Sequence, residues 1–437
     1  MWNQRYKHNV IIYLIIYGIL GGVTGITNNE LLSYLQIISP KIVAGINMCY
    51  AATSLVLAAL ILAVNKVGYK KLLLVAPPVT IISILVMTTT KNVPTVLAGY
   101  IVSQTFISLY DVLYPIMFAS YVPSLKQSKL FSIALIDNLA CQALVTMISG
   151  HLVVWLFSKL ANIKYSLASY WSGYQDKMSI KMLASYTLSY RIILWIAACM
   201  MVVAFAFSFL MKEKPSDYRS VNVSGYKTKL NLSKLKRLMT KPVLVFISFT
   251  ILINFGASLV TPYIPIYLNN YLHIPRGMTA NINTVQTAAM FIGYFSAPWL
   301  EKKFGTVVSV GATTIACIPM MIMLGIGNRL GTGLFLVITI IVVYFFRSGV
   351  ANSAIPIQNI LQMSIVDKDL RTDLTALIQI ISVAVSLITG LFTEMYLFKT
   401  LQGYATAYYI ASVLYLVGSL VLMIFLYKQF NRREEQS

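Results

Sequence analysis

Apolar stretches of bilayer length recur along the chain, separated by short polar segments. Twelve of them run over about 10–33, 42–64, 72–90, 95–120, 131–158, 191–211, 242–263, 279–300, 306–327, 333–357, 374–397 and 404–427. A membrane-crossing helix needs about 20 predominantly apolar residues, so each stretch predicts a span. Lipid offers no partner to open backbone groups, which leaves helices or a closed barrel. The alternating pattern of a barrel is absent. The pattern predicts an all-α membrane protein with twelve transmembrane helices.

The longest polar stretch lies in the middle, over 212–241, with nine basic and two acidic residues. It divides the chain into an N-terminal six-helix half (1–211), a basic cytoplasmic linker (212–241) and a C-terminal six-helix half (242–437). The halves echo each other. "YLQIISPKIVAGIN" precedes the second stretch and "YLHIPRGMTANIN" the eighth; after them come "VNKVGYKKLL" and "EKKFGTVVSV". Tyr34 with Tyr271 and Gly68 with Gly305 share one offset of 237 residues. A repeated offset with matched topology predicts two pseudo-symmetric halves.

Composition adds the solvent. Of 437 residues, 58% are hydrophobic and 11% charged, with a mean hydropathy of +0.75. Soluble domains carry about 25% charged residues, so a single soluble core is excluded. With both termini in the cytoplasm, 23 of the 34 lysines and arginines fall on the inner side. That follows the positive-inside rule. The net charge of +21 then reflects topology and contact with anionic membrane lipids, not nucleic acid. Cys49, Cys141, Cys199 and Cys317 lie in predicted spans without a CxxC, as packing residues do. The first apolar run is too long for a signal-peptide core and reads as a retained span. Abundant Ile, Lys and Tyr point to an AT-rich bacterium, hence a multi-pass protein of a bacterial cell membrane.

Six spans, a basic linker and six more resemble the major facilitator superfamily over essentially the whole chain. That family's loop signature between spans two and three is GxxxDxxG followed by basic residues. Here the stretch is "ILAVNKVGYKK": Gly68, Lys70 and Lys71 match, Asn65 replaces the usual acid, and Ile61 replaces the first glycine. The counterpart "PWLEKKFG" keeps Gly305, with Glu301 displaced by one place. The resemblance implies that these residues form a conformational loop. Span four lacks an outer arginine in "AGYIVSQTF", and span five lacks the glycine-proline pattern of many drug–proton antiporters.

Residues at i, i+3/4 and i+7 share a helix face. Span one places Tyr17, Gly21, Thr24 and Asn28 on one face. Span four places Gln104, Ser108, Asp111 and Tyr114 together, and span seven Thr250, Asn254, Ser258 and Thr261. Span ten offers Tyr344, Arg347 and Ser348. The bland reading is interhelical hydrogen bonding. The resemblance implies the other, since the family's spans one, four, seven and ten line the central cavity.

Arg347 stands alone in an apolar run, where an unpaired arginine costs at least about 2.5–3.5 kcal/mol. Asp111 plus the repeat offset gives position 348, next to Arg347, which nominates Asp111 as its partner. Two readings stand: a fixed pair that holds helices together, or a charge that binds substrate. Asp137, two turns into span five, is either satisfied by Asn138, Ser132 or a neighbouring helix, or carries protons with a pKa raised by desolvation. Glu30 and Glu394, near the outer ends of their spans, read as solvated or as gating groups. His151 reads as a packed histidine. The aromatic loop 161–190 is an interfacial helix or a lid.

Secondary active transport of a small organic solute or amphiphile by alternating access is the expected function. No Walker-type phosphate loop is present, so a gradient, with the proton as coupling ion through Asp137 or Asp111, supplies the energy. Export is the first expectation; uptake of a sugar or organic anion, or a non-transporting receptor or sensor, are the alternatives. The substrate-binding set is Arg347, Asp111, Gln104, Ser108, Tyr114, Thr24, Asn28, Asn254, Ser258 and Tyr344. His8, His151 and His273 are dispersed and no HExxH occurs, so no enzyme, metal or cofactor is expected, and the protein is read as a monomer.

Overall fold

The computed structural model describes residues 3–214, 217, 237–367 and 370–431, with side chains omitted at 61–66, 116, 119, 124, 125, 127–129 and 372. Twelve helices of twenty residues or more occur among them. In chain order they are α1 (Gln4–Ile26), α2 (Ile46–Val67), α3 (Tyr69–Thr89), α4 (Val93–Tyr121), α5 (Ser124–Leu160), α6 (Ile180–Phe209), α7 (Lys241–Val260), α8 (Arg276–Phe304), α9 (Thr306–Gly325), α10 (Gly333–Ser364), α11 (Arg371–Met395) and α12 (Gln402–Phe430). Ten segments are long and apolar enough to cross a membrane, and Ile46–Leu60 is a shorter apolar helix. The segment outside both groups is α8, whose first half, "RGMTANINTVQT", is polar.

Helix ends follow local chemistry. The Asn3 side chain accepts from the Arg5 amide at 2.9 Å, and Ser179 Oγ from the Met182 amide at 3.3 Å. Such caps satisfy backbone donors left over at a helix start. The Ser179 cap also corrects the sequence reading: α6 begins at Ile180, not near 191, and the aromatic loop 161–190 holds a short helix, Tyr165–Ser172. The first helix of each half passes into a π-helical turn, Thr27–Leu31 and Tyr267–Tyr271.

The chain forms two compact units: Met1–Val223 with Pro275–Asn281, and Ser224–Ile274 with Ile282–Ser437. In the first, α1 lies against α5 with their backbones in contact. A Cβ at Gly21 would collide with the Asn138 carbonyl oxygen, so only glycine fits. Around that contact a core forms from Tyr13, Tyr17, Tyr110, Leu113, Met117 and Phe118. The second unit has its own core, with Phe246, Phe249, Val310, Ile357, Leu361 and Leu422. The linker residues 218–236 lie outside the described residues.

Candidate functional site

In the first unit, the α4 stripe meets α1. Tyr17 donates its hydroxyl to the Asp111 carboxylate at 2.8 Å, and its ring stacks on Tyr114 at 5.3 Å between centroids. Tyr114 in turn donates to the Phe131 carbonyl at 2.9 Å. Tyr17 and Tyr114 are buried, whereas Asp111 is exposed. The arrangement is a carboxylate held by one phenol and left uncovered by other protein groups on its remaining side. Gln104, about two turns of α4 away, is buried with no described partner at Nε2. Ser108 and Thr24 are half-buried and Asn28 is exposed.

Asp137 is half-buried on α5, with its carboxylate against the backbone of Gly18 and the Cys141 thiol 4.0 Å away. Asn138 does not serve it. The Asn138 amide donates to the Tyr17 carbonyl at 2.8 Å, which ties α5 to α1 instead.

The π-helical turn after α1 carries Glu30, which the sequence reading gave as a solvated or a gating group. Glu30 is completely buried. Its Oε2 accepts from Arg276 Nε at 3.0 Å, and its Oε1 accepts from Ser149 at 3.0 Å. Arg276 is equally buried, and its amide donates to Ser172 Oγ at 2.9 Å. Nη1 and Nη2 have no hydrogen-bond partner, and Tyr186 and Tyr190 lie beside the pair. Glu30 is therefore an ion-paired core residue, not a solvated one. One signal was available: an acid inside an apolar run, next to Asn28 and Asn29. Its partner lies 246 residues away, beyond any spacing rule. Close by, His151 bonds Tyr165 Oη at 3.0 Å and Asn281 Oδ1 at 3.1 Å, a packed histidine as expected.

In the second unit, Arg347 sits mid-way along α10 at 5% exposure. Its surroundings are Tyr344, Tyr408, Tyr415 and Cys317. Tyr415 lies beside the guanidinium, Tyr344 and Tyr408 share a short hydroxyl contact, and Arg347 Nε has no partner among the described residues. Within this unit no described carboxylate pairs with Arg347. Asn254 donates to Ser382 at 3.0 Å, and Ser258 is half-buried.

The two glycine loops have the same backbone. Gly68 has φ 91° and ψ 162°, and Gly305 has φ 84° and ψ 165°, a region that side chains rarely adopt. Their clamps differ. At the first loop, Glu213 accepts from the Tyr69 amide at 2.7 Å and the Lys70 amide at 3.2 Å. Lys70 Nζ donates to the Phe209 carbonyl at 2.9 Å, and Lys71 is exposed. At the second, Asn431 accepts from the Val308 amide at 3.1 Å and donates to the Phe304 carbonyl at 3.2 Å, while Glu301 accepts from Thr306 at 3.1 Å. The side chain of Asn65 lies outside the described residues. Glu213 is raised from its ordinary pKa by burial, which the two amides oppose. Its neighbour Asp217 is also buried, yet two hydrogen bonds from Arg5 hold it below the carboxylate range.

The family model described as Major Facilitator Superfamily matches residues 8–390. No curated protein matches the sequence. Among solved structures, the nucleoside transporter NupG is similar with a TM-score of 0.69 at 12% identity, covering 95% of this chain and 98% of that one. The xylose transporter XylE from E. coli gives a TM-score of 0.67 at 14% identity, covering 96% of each chain. A bacterial homologue of the human lysosomal transporter Spinster gives 0.66 at 12% identity over 100% of each chain. At such identities the likeness is one of fold.

Proposed function

The chain belongs to the Major Facilitator Superfamily and is a multi-pass membrane transporter, and from that premise we propose that it exports a small organic solute or amphiphile in exchange for protons. The observation that carries the reading is the Tyr17–Asp111–Tyr114 cluster. A carboxylate exposed on one side and held by a phenol on the other can change protonation. The stacked rings beside it suit the apolar part of an organic solute. Arg347 supplies a fixed charge whose neighbours are phenols, and Asp137, half-buried against the Gly18 backbone, is the second candidate proton carrier. Gln104, Ser108, Thr24, Asn28, Asn254, Ser258 and Tyr344 complete the proposed polar lining.

One observation favours a second reading. Among the described residues of its own unit Arg347 has no carboxylate beside it, which suits the binding of an anionic group and hence uptake of an organic anion. Candidate solutes that raise the melting temperature of the purified protein would be loaded into proteoliposomes and followed by counterflow. Exchange of labelled solute supports transport; saturable binding without exchange overturns it in favour of a receptor. Orientation in the cell membrane, with both termini cytoplasmic, is tested separately by cysteine labelling in intact cells. Asp176→Cys should label from outside and Ser224→Cys should not; the reverse would overturn the topology.

A further inference from the structure

In the second unit, α8, α9 and α10 enclose a groove of about 490 Å³. Its floor is made of small residues. At Gly293 the two helices α8 and α10 approach so closely that a Cβ would collide with the Gly349 carbonyl oxygen. Its rim is aromatic: Trp299 and Phe304 at one end, Phe345 and Phe346 along one wall.

The groove has four hydroxyls, and each donates its proton to a backbone carbonyl. Ser296 donates to the Gly293 carbonyl at 2.8 Å and Ser353 to the Val350 carbonyl at 2.7 Å. Ser309 donates to the Leu300 carbonyl at 2.9 Å and Thr313 to the Ser309 carbonyl at 2.6 Å. A solute's acceptors would lose their hydration there and find no free donor, which is costly. An apolar chain would lose nothing. The volume lies within the ordinary range for ligand sites, about 300–1,000 Å³.

One end is charged. Lys303 Nζ lies 5.0 Å from the Trp299 ring centre and 5.4 Å from that of Phe304, the two rings that close the groove. Lys302 is exposed beside it. The adjacent acid, Glu301, is turned to Thr306. The end of the groove therefore presents positive charge next to exposed Trp299, the side-chain pattern of a membrane–water interface.

We propose that this groove binds one anionic phospholipid, with an acyl chain along the small-residue floor and its phosphate at Lys302 and Lys303. The site is separate from the Tyr17–Asp111 cluster and does not depend on the transport reading. Charge complementarity selects the headgroup, and the small, apolar floor with no free hydroxyl donor selects the tail.

Trp299 gives the site its own reporter. Trp2, Trp155, Trp171 and Trp195 would be replaced by Phe, and the protein reconstituted in vesicles that mix dioleoyl lipid with dibrominated phosphatidylglycerol or dibrominated phosphatidylcholine. The expected result is half-maximal quenching of Trp299 at a several-fold lower mole fraction of the anionic lipid. K302Q/K303Q should abolish that preference, and Ala312→Phe, which fills the groove, should weaken quenching by both lipids. Equal half-points for the two headgroups, or a preference that survives K302Q/K303Q, overturns the proposal. Native mass spectrometry of the protein with its tryptophans intact, from mixed phosphatidylglycerol and phosphatidylcholine micelles, gives an independent readout. It should retain the anionic lipid in preference, and K302Q/K303Q should not; no difference between the two proteins overturns the site.

Discussion

Two buried arginines divide the molecule's charge chemistry between them. Arg276 meets a carboxylate: Glu30 binds its Nε at 3.0 Å, with both side chains fully enclosed. Arg347, buried to a similar degree, meets phenols and a thiol among the described residues of its own unit. The difference teaches how each is held. A buried ion pair with extra hydrogen bonds fixes geometry, and removing one member strands the other's charge. A guanidinium among phenols has its charge solvated but not neutralised. It remains an attractive point for an anionic group.

The comparison breaks most visibly at Glu30. E30Q should strand the Arg276 charge and destabilise the first unit by about 3–5 kcal/mol. Thermal unfolding in detergent would show it, with E30Q/R276Q recovering a good part of the loss. An E30Q protein as stable as wild type would mean that the pair holds nothing. Arg347 should behave in the opposite way. R347Q removes a charge that no acid in its unit needs, so the melting temperature should change little while transport falls tenfold or more. Equal losses of stability at Arg347 and Arg276 would erase the distinction drawn between them.

Asp111 sharpens the same contrast. D111N keeps an acceptor for Tyr17, so the fold should tolerate it while proton-linked transport drops. A double-mutant cycle with R347Q measures whether the two charges act together; additive losses would show that they do not.

The smallest effect lies at Asp217, held below its ordinary pKa by Arg5 despite burial. A depressed folded pKa contributes stability above the unfolded value, about 3.9, and that contribution is lost as pH falls through the folded value. Glu213 has the opposite sign: its raised pKa makes the ionised form a cost, relieved on acidification. R5Q should therefore lower the melting temperature slightly near neutral pH and flatten its decline at low pH. An unchanged pH profile in R5Q would remove Arg5 as the cause.

The elements were legible because hydropathy acts locally. Every predicted stretch has its long helix, and Gly68 and Gly305 share both offset and backbone conformation. Boundaries were less legible where capping, not hydropathy, sets the start, as at Ser179 before α6. The site was legible in part. The i, i+3 spacing placed Asp111 and Tyr114 on one face, but that Tyr17 binds the carboxylate depends on how α1 lies against α4. The Glu30–Arg276 pair was missed because Glu30 was read alone at the outer end of its span and Arg276, 246 residues away, was not singled out. The clamp at Gly68 was missed for a related reason. Its acid, Glu213, comes from the segment after α6 and not from the loop signature, where Asn65 replaces the expected carboxylate.

Proton coupling is the claim on which the transport reading turns. The direct measurement is solute accumulation in proteoliposomes under an imposed pH gradient, with a protonophore added at steady state. The account predicts concentrative movement that follows the gradient, collapses with the protonophore, and is lost in D111N or D137N. Transport by the wild-type protein that neither a pH gradient nor its collapse alters would contradict it.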